Sequence, residues 1–131
     1  MTTALGRDRA ASAHPQLWRI SDQATFAALR REGRRARRGP LTLTWLAPAA
    51  LESDHHHPRV AFAIGRSTGN AVVRNRIRRR LRAALQELLA AGHLPLGAYL
   101  ISGSAELARV PWVELRASLE AAIASVTAAT R

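Results

Sequence analysis

The stretch GNAVVRNRIRRRLRAAL, residues 69–85, threads an apolar stripe through six arginines that lie between Arg74 and Arg82. At about 100° per residue, one side of a helix would carry the apolar residues of this stretch and its continuation, namely Val73, Ile77, Leu81, Ala84, Leu85 and Leu88. Such a stripe is wide enough to pack a helix against a sheet. The pattern predicts a helix from Asn70 to about Ala91, ended by Gly92 and followed by Pro95.

The arginines of this helix have no acidic neighbours. Between Asp54 and Glu87 the sequence contains no acid, whereas an ordinary exposed helix pairs acids with bases four residues apart. Here Arg74, Arg78 and Arg82 recur at that spacing, so like charges repel along one side of the helix. Because a bound polyanion would relieve this repulsion, the sequence predicts a polyanion-binding face in preference to a solvated one.

The composition of the whole chain agrees with a polyanionic partner. The 131 residues include twenty basic and nine acidic ones, which gives a formal net charge of +11. All of the basic residues are arginine, whose planar guanidinium binds phosphate through two parallel hydrogen bonds. The apolar stripe of the basic helix consists of residues sized for a protein core, which disfavours a membrane surface, and the element before it reads as a strand, which disfavours a helix-turn-helix bound to DNA. We therefore expect RNA as the partner, and neither DNA nor a membrane.

Other classes of function are disfavoured by what the sequence lacks. The absence of cysteine excludes disulfides, thiolate metal sites and cysteine nucleophiles. The carboxylates are scattered, with no acid-rich motif suited to a two-metal nuclease. No apolar run approaches the ~20 residues that span a bilayer, and we expect a cytoplasmic protein.

The patterns along the chain predict an α+β fold in one domain at residues 16–127, between a disordered leader at 1–15 and a tail at 128–131. The first helix lies in SDQATFAALRREG, with Ser21 or Asp22 as its N-cap and Gly33 in a left-handed conformation at its end. Alternation predicts strands in LTLTW (41–45), RVAFAIGRS (59–67) and GAYLISGS (97–104), with a further short strand at 33–38 left open. A final amphipathic helix has its stripe at Val113, Leu115, Leu119, Ala122, Ile123 and Val126. The expected architecture is a two-layer sandwich of about four strands, in the order α-β-β-(β)-α-β-α, where the parentheses mark that one of the strands before the basic helix is optional.

The order of residues at the start of the basic helix carries a more specific signal. The run GNAVVRNR (69–76), followed by Arg78, Arg79, Leu81 and Arg82, resembles the signature of the bacterial ribonuclease P protein subunit, which is Gly-Asn-Ala-Val-x-Arg-Asn-Arg and then spaced basic residues. RISDQATFAALRREG (19–33) is similar to the family's first helix, and RVAFAIGRSTGNAV (59–72) to the strand that precedes the basic helix. The resemblance covers about residues 18–126.

This resemblance implies a fold and a division of labour. The fold would contain a left-handed β-α-β crossover, against the general right-handed rule. The protein would assist a catalytic RNA that removes the 5′ leader of precursor tRNA, with the magnesium-dependent chemistry on the RNA and no catalytic residue, metal or cofactor on the protein. By this resemblance the ribozyme would contact Asn70, Arg74, Asn75, Arg76, Arg78, Arg79 and Arg82. The leader would lie in a cleft between the first helix and the sheet, at Phe26, Arg30, Thr44, Arg66 and Ser67.

The sequence departs from the family at the cleft. Where many members have a second aromatic residue in the first helix this chain has Arg30, and a frequent aromatic of the first long strand falls at Thr44, beside Trp45. In place of the usual Ser and paired Lys after the second strand stand Gly65, Arg66 and Ser67. We therefore expect the cleft to depend less on aromatic stacking and more on arginine and hydroxyl groups.

Several features have more than one interpretation. A metal site at His55, His56 and His57 is less expected than a solvated loop. Core packing is expected for Trp45 and Trp112, while Trp18 is open between packing and stacking. The arginines at 34, 35, 37 and 38 form either a second RNA patch or a solvated turn. The function itself has two alternatives, a ribosomal-type RNA-binding protein and a DNA-binding regulator.

Overall fold

The part of the chain that the computed structural model describes, residues 16–51 and 56–128, contains one five-stranded sheet. The strands are β1 (Trp18–Arg19), β2 (Arg34–Arg38), β3 (Leu41–Leu46), β4 (Arg59–Ala63) and β5 (Ala98–Gly103), in the spatial order β1-β4-β5-β3-β2. The pairs β2/β3 and β3/β5 are antiparallel, whereas β1/β4 and β4/β5 are parallel. The edge strands are therefore β1 and β2.

Three helices accompany this sheet within the described residues: α1 (Gln23–Glu32), α2 (Ala71–Ala90) and α3 (Trp112–Ala128). Since α2 connects the parallel strands β4 and β5, the expected β-α-β unit is present; its left-handed crossover stays a prediction. The predicted bounds of the basic helix are confirmed to within a residue, with Asn70 as its N-cap.

Helices α2 and α3 cover one face of the sheet. The apolar stripe of α2 is buried at Ile77, Leu81, Ala84, Leu85 and Leu88, as predicted. It packs in one cluster with the inward-facing residues of the strands, including Leu43, Val60 and Ile101, and with the stripe of α3. Each fully buried leucine or isoleucine contributes about 1.5–3 kcal/mol relative to exposure. Burial of this stripe fixes which side of α2 remains outside.

Helix α1 packs on the opposite face. Ala28 and Leu29 of α1 lie in a second cluster with Leu46 of β3 and Ala98 of β5. These strand residues alternate with those of the first cluster and so point to the other side of the sheet. The predicted layer of helices on a sheet is confirmed, and α1 adds a partial third layer.

Three details differ from the predictions, and one open alternative is resolved. Strand β1 raises the strand count from about four to five; with only two residues it is too short for an alternating pattern. The basic residues after α1, left open between a short strand and a turn, form strand β2. Val113 is 77% exposed, so the stripe of α3 begins at Leu115. Gly33 has φ −68° and is not left-handed; its role is steric, because a Cβ there would lie 2.5 Å from both the Leu29 carbonyl oxygen and Thr44 Cγ2.

The remaining predictions concern termini, aromatic residues and membrane association. The predicted leader at 1–15, together with residues 129–131, lies outside the described residues. Trp45 is buried and donates from Nε1 to the Leu96 carbonyl oxygen at 3.2 Å, and Trp112 is half-buried against the core. Trp18 is 45% exposed and stacks on His57, with ring centroids 4.4 Å apart. Among the described residues no helix is both long enough and apolar enough to cross a membrane.

Candidate nucleic-acid interface

The start of α2 is organised by its own signature residues. The Asn70 side-chain oxygen accepts the backbone N–H of Val73 at 3.0 Å and so satisfies one of the free N–H groups of the first turn. Gly69 precedes it at φ +157°, and a Cβ at Gly69 would lie 3.0 Å from Val73 Cγ1. Asn70, predicted as an RNA contact, is exposed, but the bond that the structure gives it is a helix cap.

Two arginines on one side of α2 donate hydrogen bonds to the backbone next to the helix. Arg74 Nε donates to the Gly69 carbonyl oxygen at 3.1 Å. Arg78 donates from Nη2 to the Ile64 carbonyl oxygen and from Nη1 to Asn75 Oδ1, each at 3.0 Å. These bonds hold both guanidinium groups beside the turn that joins β4 to α2. Since a guanidinium has five N–H donors, each retains donors for a phosphate.

On the other side of α2, two arginines bind the segment between β5 and α3. Arg76 Nε donates to the Ala108 carbonyl oxygen at 3.0 Å. Arg80 donates from its two terminal nitrogens to the carbonyl oxygens of Leu107 and Val110. These contacts connect residues about thirty positions apart. Arg80 therefore stabilises the fold through both terminal nitrogens, whereas Arg76 does so through Nε alone.

The outermost arginines of α2 are less engaged. Arg82 lies with its guanidinium carbon 5.4 Å from the centre of the Phe62 ring, a cation–π arrangement. Arg79 is exposed and makes no hydrogen bond or ion pair with any described residue. The prediction of a row of unpaired arginines is therefore wrong for Arg74 and Arg78, which donate hydrogen bonds to backbone carbonyl oxygens. The absence of acids from the sequence gives no information about such acceptors. The face still carries an uncompensated positive charge, because a carbonyl has a dipole and no net charge.

A shallow groove crosses the sheet face that α1 leaves uncovered. Its floor follows from the strand register, which aligns Ala61, Leu100 and Thr44 in one row. The next row, two residues along each strand, consists of Ala63, Ser102, Thr42 and Arg37. Apart from Leu100, the floor is therefore made of small and hydroxyl-bearing side chains, and Arg37 lies at the end of its outer row.

The residues predicted for the leader lie along this groove at different depths. Phe26 of α1 is half-buried and packs against the second cluster, as Ala61 and Leu100 of the inner row also do. Thr44, in that row, is only 8% exposed because the end of α1 at Gly33 covers it, which leaves little of it for a ligand. Arg30 is exposed in the last turn of α1.

The other two predicted residues lie at the outer row. Ser67 lines a depression together with Thr42, Ser102 and Arg37. Arg66 is exposed in the same turn, which connects β4 to α2. Thr42, Ser102 and Arg37 are groove residues that sequence reasoning missed. The alternation in β3 does indicate that Thr42 points away from the buried leucines. No sequence pattern, however, shows that a threonine of β3 lies beside a serine of β5.

An ion pair between the buried Arg59 and the half-exposed Asp22 holds α1 against the sheet and also escaped the sequence analysis. The Arg59 side chain is 9% exposed and donates from Nη2 to Asp22 Oδ1 at 2.6 Å. The other carboxylate oxygen of Asp22 accepts the backbone N–H of Thr25 at 2.9 Å and its hydroxyl at 2.6 Å. The hydrogen bond from the Thr25 hydroxyl, followed by those from Arg59 and the Thr25 backbone, lowers the pKa of Asp22 to about 2. Asp22 is thus a charged N-cap that fixes α1 one turn before Phe26.

The histidines offer no assembled metal site in the described residues. Of the three, His55 lies outside the described residues, and His57 stacks on Trp18. No group of three His, Cys, Asp or Glu side chains within residues 16–51 and 56–128 has the geometry to hold an ion. Among the described carboxylates, Asp22 pairs with Arg59, Glu32 with Arg31 and Glu87 with Arg116, and Glu120 lies 3.0 Å from His93 Nδ1.

Comparison with known proteins agrees with the signature at α2. The family model for Ribonuclease P matches residues 15–127. The chain is 34% identical over 113 residues to the ribonuclease P protein component of Thermobifida fusca, which covers 83% of this chain and 76% of that protein. It is 38% identical over 100 residues to the component from a Nocardioides species, covering 70% and 82% of the two chains.

Solved structures show the same fold. The ribonuclease P protein of Staphylococcus aureus superimposes with a TM-score of 0.66 at 20% identity and covers 85% of this chain and 98% of its own. The protein of Thermotoga maritima superimposes with a TM-score of 0.62 at 21% identity, covering 77% and 90%. The residues that the family model matches, 15–127, include β1, α1, the whole sheet and the basic helix. The chain therefore belongs to the ribonuclease P protein family.

Proposed function

We propose that this chain is the protein subunit of a ribonuclease P ribonucleoprotein, in which it binds the catalytic RNA and the 5′ leader of precursor tRNA. It thereby assists the endonucleolytic cut that produces the mature 5′ end. The observation that carries the proposal is the family signature at residues 69–76, placed at the start of a helix whose outer sides hold arginines. A cytoplasmic location is part of the same proposal.

The arginines of α2 would act through charge and position. Arg79 and Arg82 offer the most freedom to reach phosphates, and Arg74, Arg76 and Arg78 hold remaining donors in fixed places beside the helix. Such contacts release counterions from the RNA, so each contributes a slope of about −0.7 to −0.9 in log affinity against log salt. Asn70 and Asn75 would act mainly by fixing the helix start and the Arg78 guanidinium.

The groove would hold the leader as a single strand. Phe26 supplies a ring for one base, and the hydroxyls of Thr42, Ser67 and Ser102 line the path beyond it. Stacking on an aromatic ring contributes about 1–3 kcal/mol per base and tolerates any sequence. Such a groove would bind leaders of varied sequence.

The hydrolysis itself would belong to the RNA. Within the described residues the chain brings together no carboxylate cluster of the kind that positions two metal ions. Magnesium would accordingly be bound by the RNA of the holoenzyme. The contribution of the protein would be to neutralise phosphates where two RNAs meet and to hold the leader near the site of cleavage.

Reconstitution tests this proposal. The purified chain is combined with the ribonuclease P RNA of the same organism at low magnesium, and the rate of precursor-tRNA cleavage is measured with and without protein. We expect strong stimulation, because the protein supplies cationic charge that magnesium otherwise provides. Absence of stimulation, together with co-purification of the chain with ribosomal subunits, would favour the ribosomal-type alternative. Preference for a DNA duplex over precursor tRNA would favour the regulator.

The two phenylalanines of the chain allow a sharper test of the groove. Phe26→Leu keeps an apolar side chain against the second cluster but removes the ring. We expect the affinity advantage of leader-bearing over leaderless tRNA to fall about fivefold or more, which corresponds to about 1 kcal/mol of lost stacking. The matched control is Phe62→Leu, because Phe62 packs on the α2 face of the sheet. An equal change in both variants would remove Phe26 from the leader site.

A further inference from the structure

A second arginine-rich segment lies outside the basic helix. Residues 30–38 contain six arginines in nine positions, the same density as residues 74–82. Their contacts within the described chain are short-range: Arg31 lies 3.7 Å from Glu32, Arg37 reaches the Gly39 carbonyl oxygen at 3.5 Å, and Arg38 the Arg37 carbonyl oxygen at 3.0 Å. None of these contacts joins distant parts of the fold, in contrast to those of α2. The fold therefore does not account for this charge.

Strand β2 displays four of these arginines at the edge of the sheet. It pairs with β3 alone, and Ala36 is its one buried residue, packed in the core on the α3 side. The exposed side chains are Arg34, Arg35, Arg37 and Arg38, here called the β2 ridge. Since side chains alternate along a strand, Arg34 and Arg38 share the side of Ala36, and Arg35 and Arg37 share the groove side.

The neighbours of the β2 ridge leave its charge uncompensated. Across the ladder, the four arginines are opposite Trp45, Thr44, Thr42 and Leu41, none of which is acidic. Cross-strand pairs of opposite charge are the stabilising arrangement, and like charges about 7 Å apart on one face of a strand repel. The described residues show no ion pair for any of the four.

Protection of an exposed edge is the simpler explanation for charge on β2, since charged side chains keep edge strands from pairing with other chains. A mixture of acids and bases would protect the edge equally well without the repulsion. A strand with four arginines and no acid therefore indicates a surface that binds a polyanion.

The place and shape of the β2 ridge indicate what kind of nucleic acid it fits. Strand β2 lies three strand spacings from β4, about 14 Å across the sheet. Arg37 reaches the depression that Ser67 also lines, whereas Arg34 and Arg38 lie on the opposite side of the strand, away from the groove and from the turn between β4 and α2. Side chains that leave both faces of an edge form a convex ridge, which cannot enclose a single strand. The wide, shallow minor groove of A-form RNA, with phosphates on both sides, accepts such a ridge.

We propose that the β2 ridge is a second RNA contact, which binds the phosphate backbone of a base-paired RNA segment while α2 binds another part of the RNA. It rests on the proposed function for the identity of the RNA partner. The protein would then bridge two RNA segments across the width of its sheet.

Salt-dependent binding to a plain RNA hairpin with a long duplex stem tests the proposal. The ridge variant is Arg34→Gln/Arg38→Gln, whose side chains lie away from the groove. The control variant is Arg19→Gln/Arg109→Gln, which removes the same charge from exposed positions outside both arginine segments. At about 0.9 per phosphate contact, the ridge variant should lose about 1.8 from the salt slope, and the control less than half of that. Arg34→Lys/Arg38→Lys should keep the native slope.

The outcomes separate the two explanations of the β2 ridge. A loss of slope no larger in the ridge variant than in the control would overturn the proposal. A ridge variant that self-associates in size-exclusion chromatography yet binds the hairpin with native slope would show that edge protection is the role of these arginines. If the double variant does not fold, the single variants Arg34→Gln and Arg38→Gln should each lose about 0.9. Because the hairpin is not the ribozyme, failure of reconstitution and failure of the ridge are seen separately.

Discussion

Residues 74–82 of helix α2 and residues 30–38, which include strand β2, have the same density of arginine and use it in opposite ways. In α2, Arg74, Arg76, Arg78 and Arg80 donate to backbone carbonyl oxygens outside their own helix. In β2, the arginines contact only neighbours in sequence. The basic helix is thus tied into the fold by some of its charges, whereas β2 displays its charges freely. The number of arginines in a segment does not measure how many are available to bind RNA.

The largest effect on stability is expected when Arg80 is substituted, whereas substitution of its neighbour Arg79 in α2 should have little effect. Arg80→Ala removes the bonds to the carbonyl oxygens of Leu107 and Val110 and should lower the free energy of unfolding by about 2–3 kcal/mol, because bonds from charged donors contribute about 1.5–3 kcal/mol. Arg79→Ala, one position away and exposed, should change it by less than about 0.5 kcal/mol. Urea denaturation measures both. Equal stabilities would mean that the Arg80 contacts do not stabilise the fold.

A medium effect is expected at Arg59, a third arginine environment in which a buried guanidinium is paired with a carboxylate. The folded pKa of Asp22, about 2, lies below the ordinary value of 3.8, so folding favours the ionised form. The associated stability is complete above about pH 4 and is lost as the pH falls towards 2. Because the Asp22 side chain is 45% exposed, we expect about 1 kcal/mol after solvent screening.

Two substitutions isolate this carboxylate in denaturation curves between pH 4 and pH 2. Asp22→Asn keeps a capping oxygen but removes the charge, so its stability should fall less over this range. Glu32→Gln, which removes the exposed partner of Arg31, should retain the native dependence. A native pH dependence in Asp22→Asn would show that other carboxylates cause the acid sensitivity.

The smallest effect concerns Arg82, which is intermediate between the two kinds of arginine. Arg82→Gln removes the contact with the Phe62 ring and should cost about 0.5–1 kcal/mol, as exposed cation–π pairs do. It should also reduce the salt slope of RNA binding by about 0.9. Arg82→Lys should preserve most of both quantities. Unchanged stability combined with a reduced slope would group Arg82 with the free arginines of the β2 ridge.

The parts of this fold that were predictable are those with a local pattern. The stripe from Ile77 to Leu88, the bounds of the basic helix and the alternation in β3 each depend on spacing within one element, and each is confirmed. The family followed from eight consecutive residues, 69–76. Strand β1 escaped because two residues carry no period, and its pairing depends on β4, about forty positions away.

The parts of the candidate site that were not predictable depend on distant partners. The guanidinium of Arg80 meets carbonyl oxygens 27 and 30 positions along the chain, and Arg59 meets Asp22 at a separation of 37. Backbone carbonyl oxygens are present at every residue, so no count of acids signals which arginines will bind them. The same reasoning explains why the groove residues Thr42 and Ser102 became evident only from the register of β3 with β5.

The contact at Gly33 has a consequence for the dimensions of the groove. Its missing side chain allows the end of α1 to approach Thr44 so closely that any larger residue would collide with that threonine and with the Leu29 carbonyl oxygen. The short distance between α1 and the sheet at this point therefore depends on glycine, which has a hydrogen atom where every other residue has a Cβ. Gly33→Ala would push the end of α1 away from Thr44 and widen the groove at its closed end without altering any residue that is proposed to contact the leader.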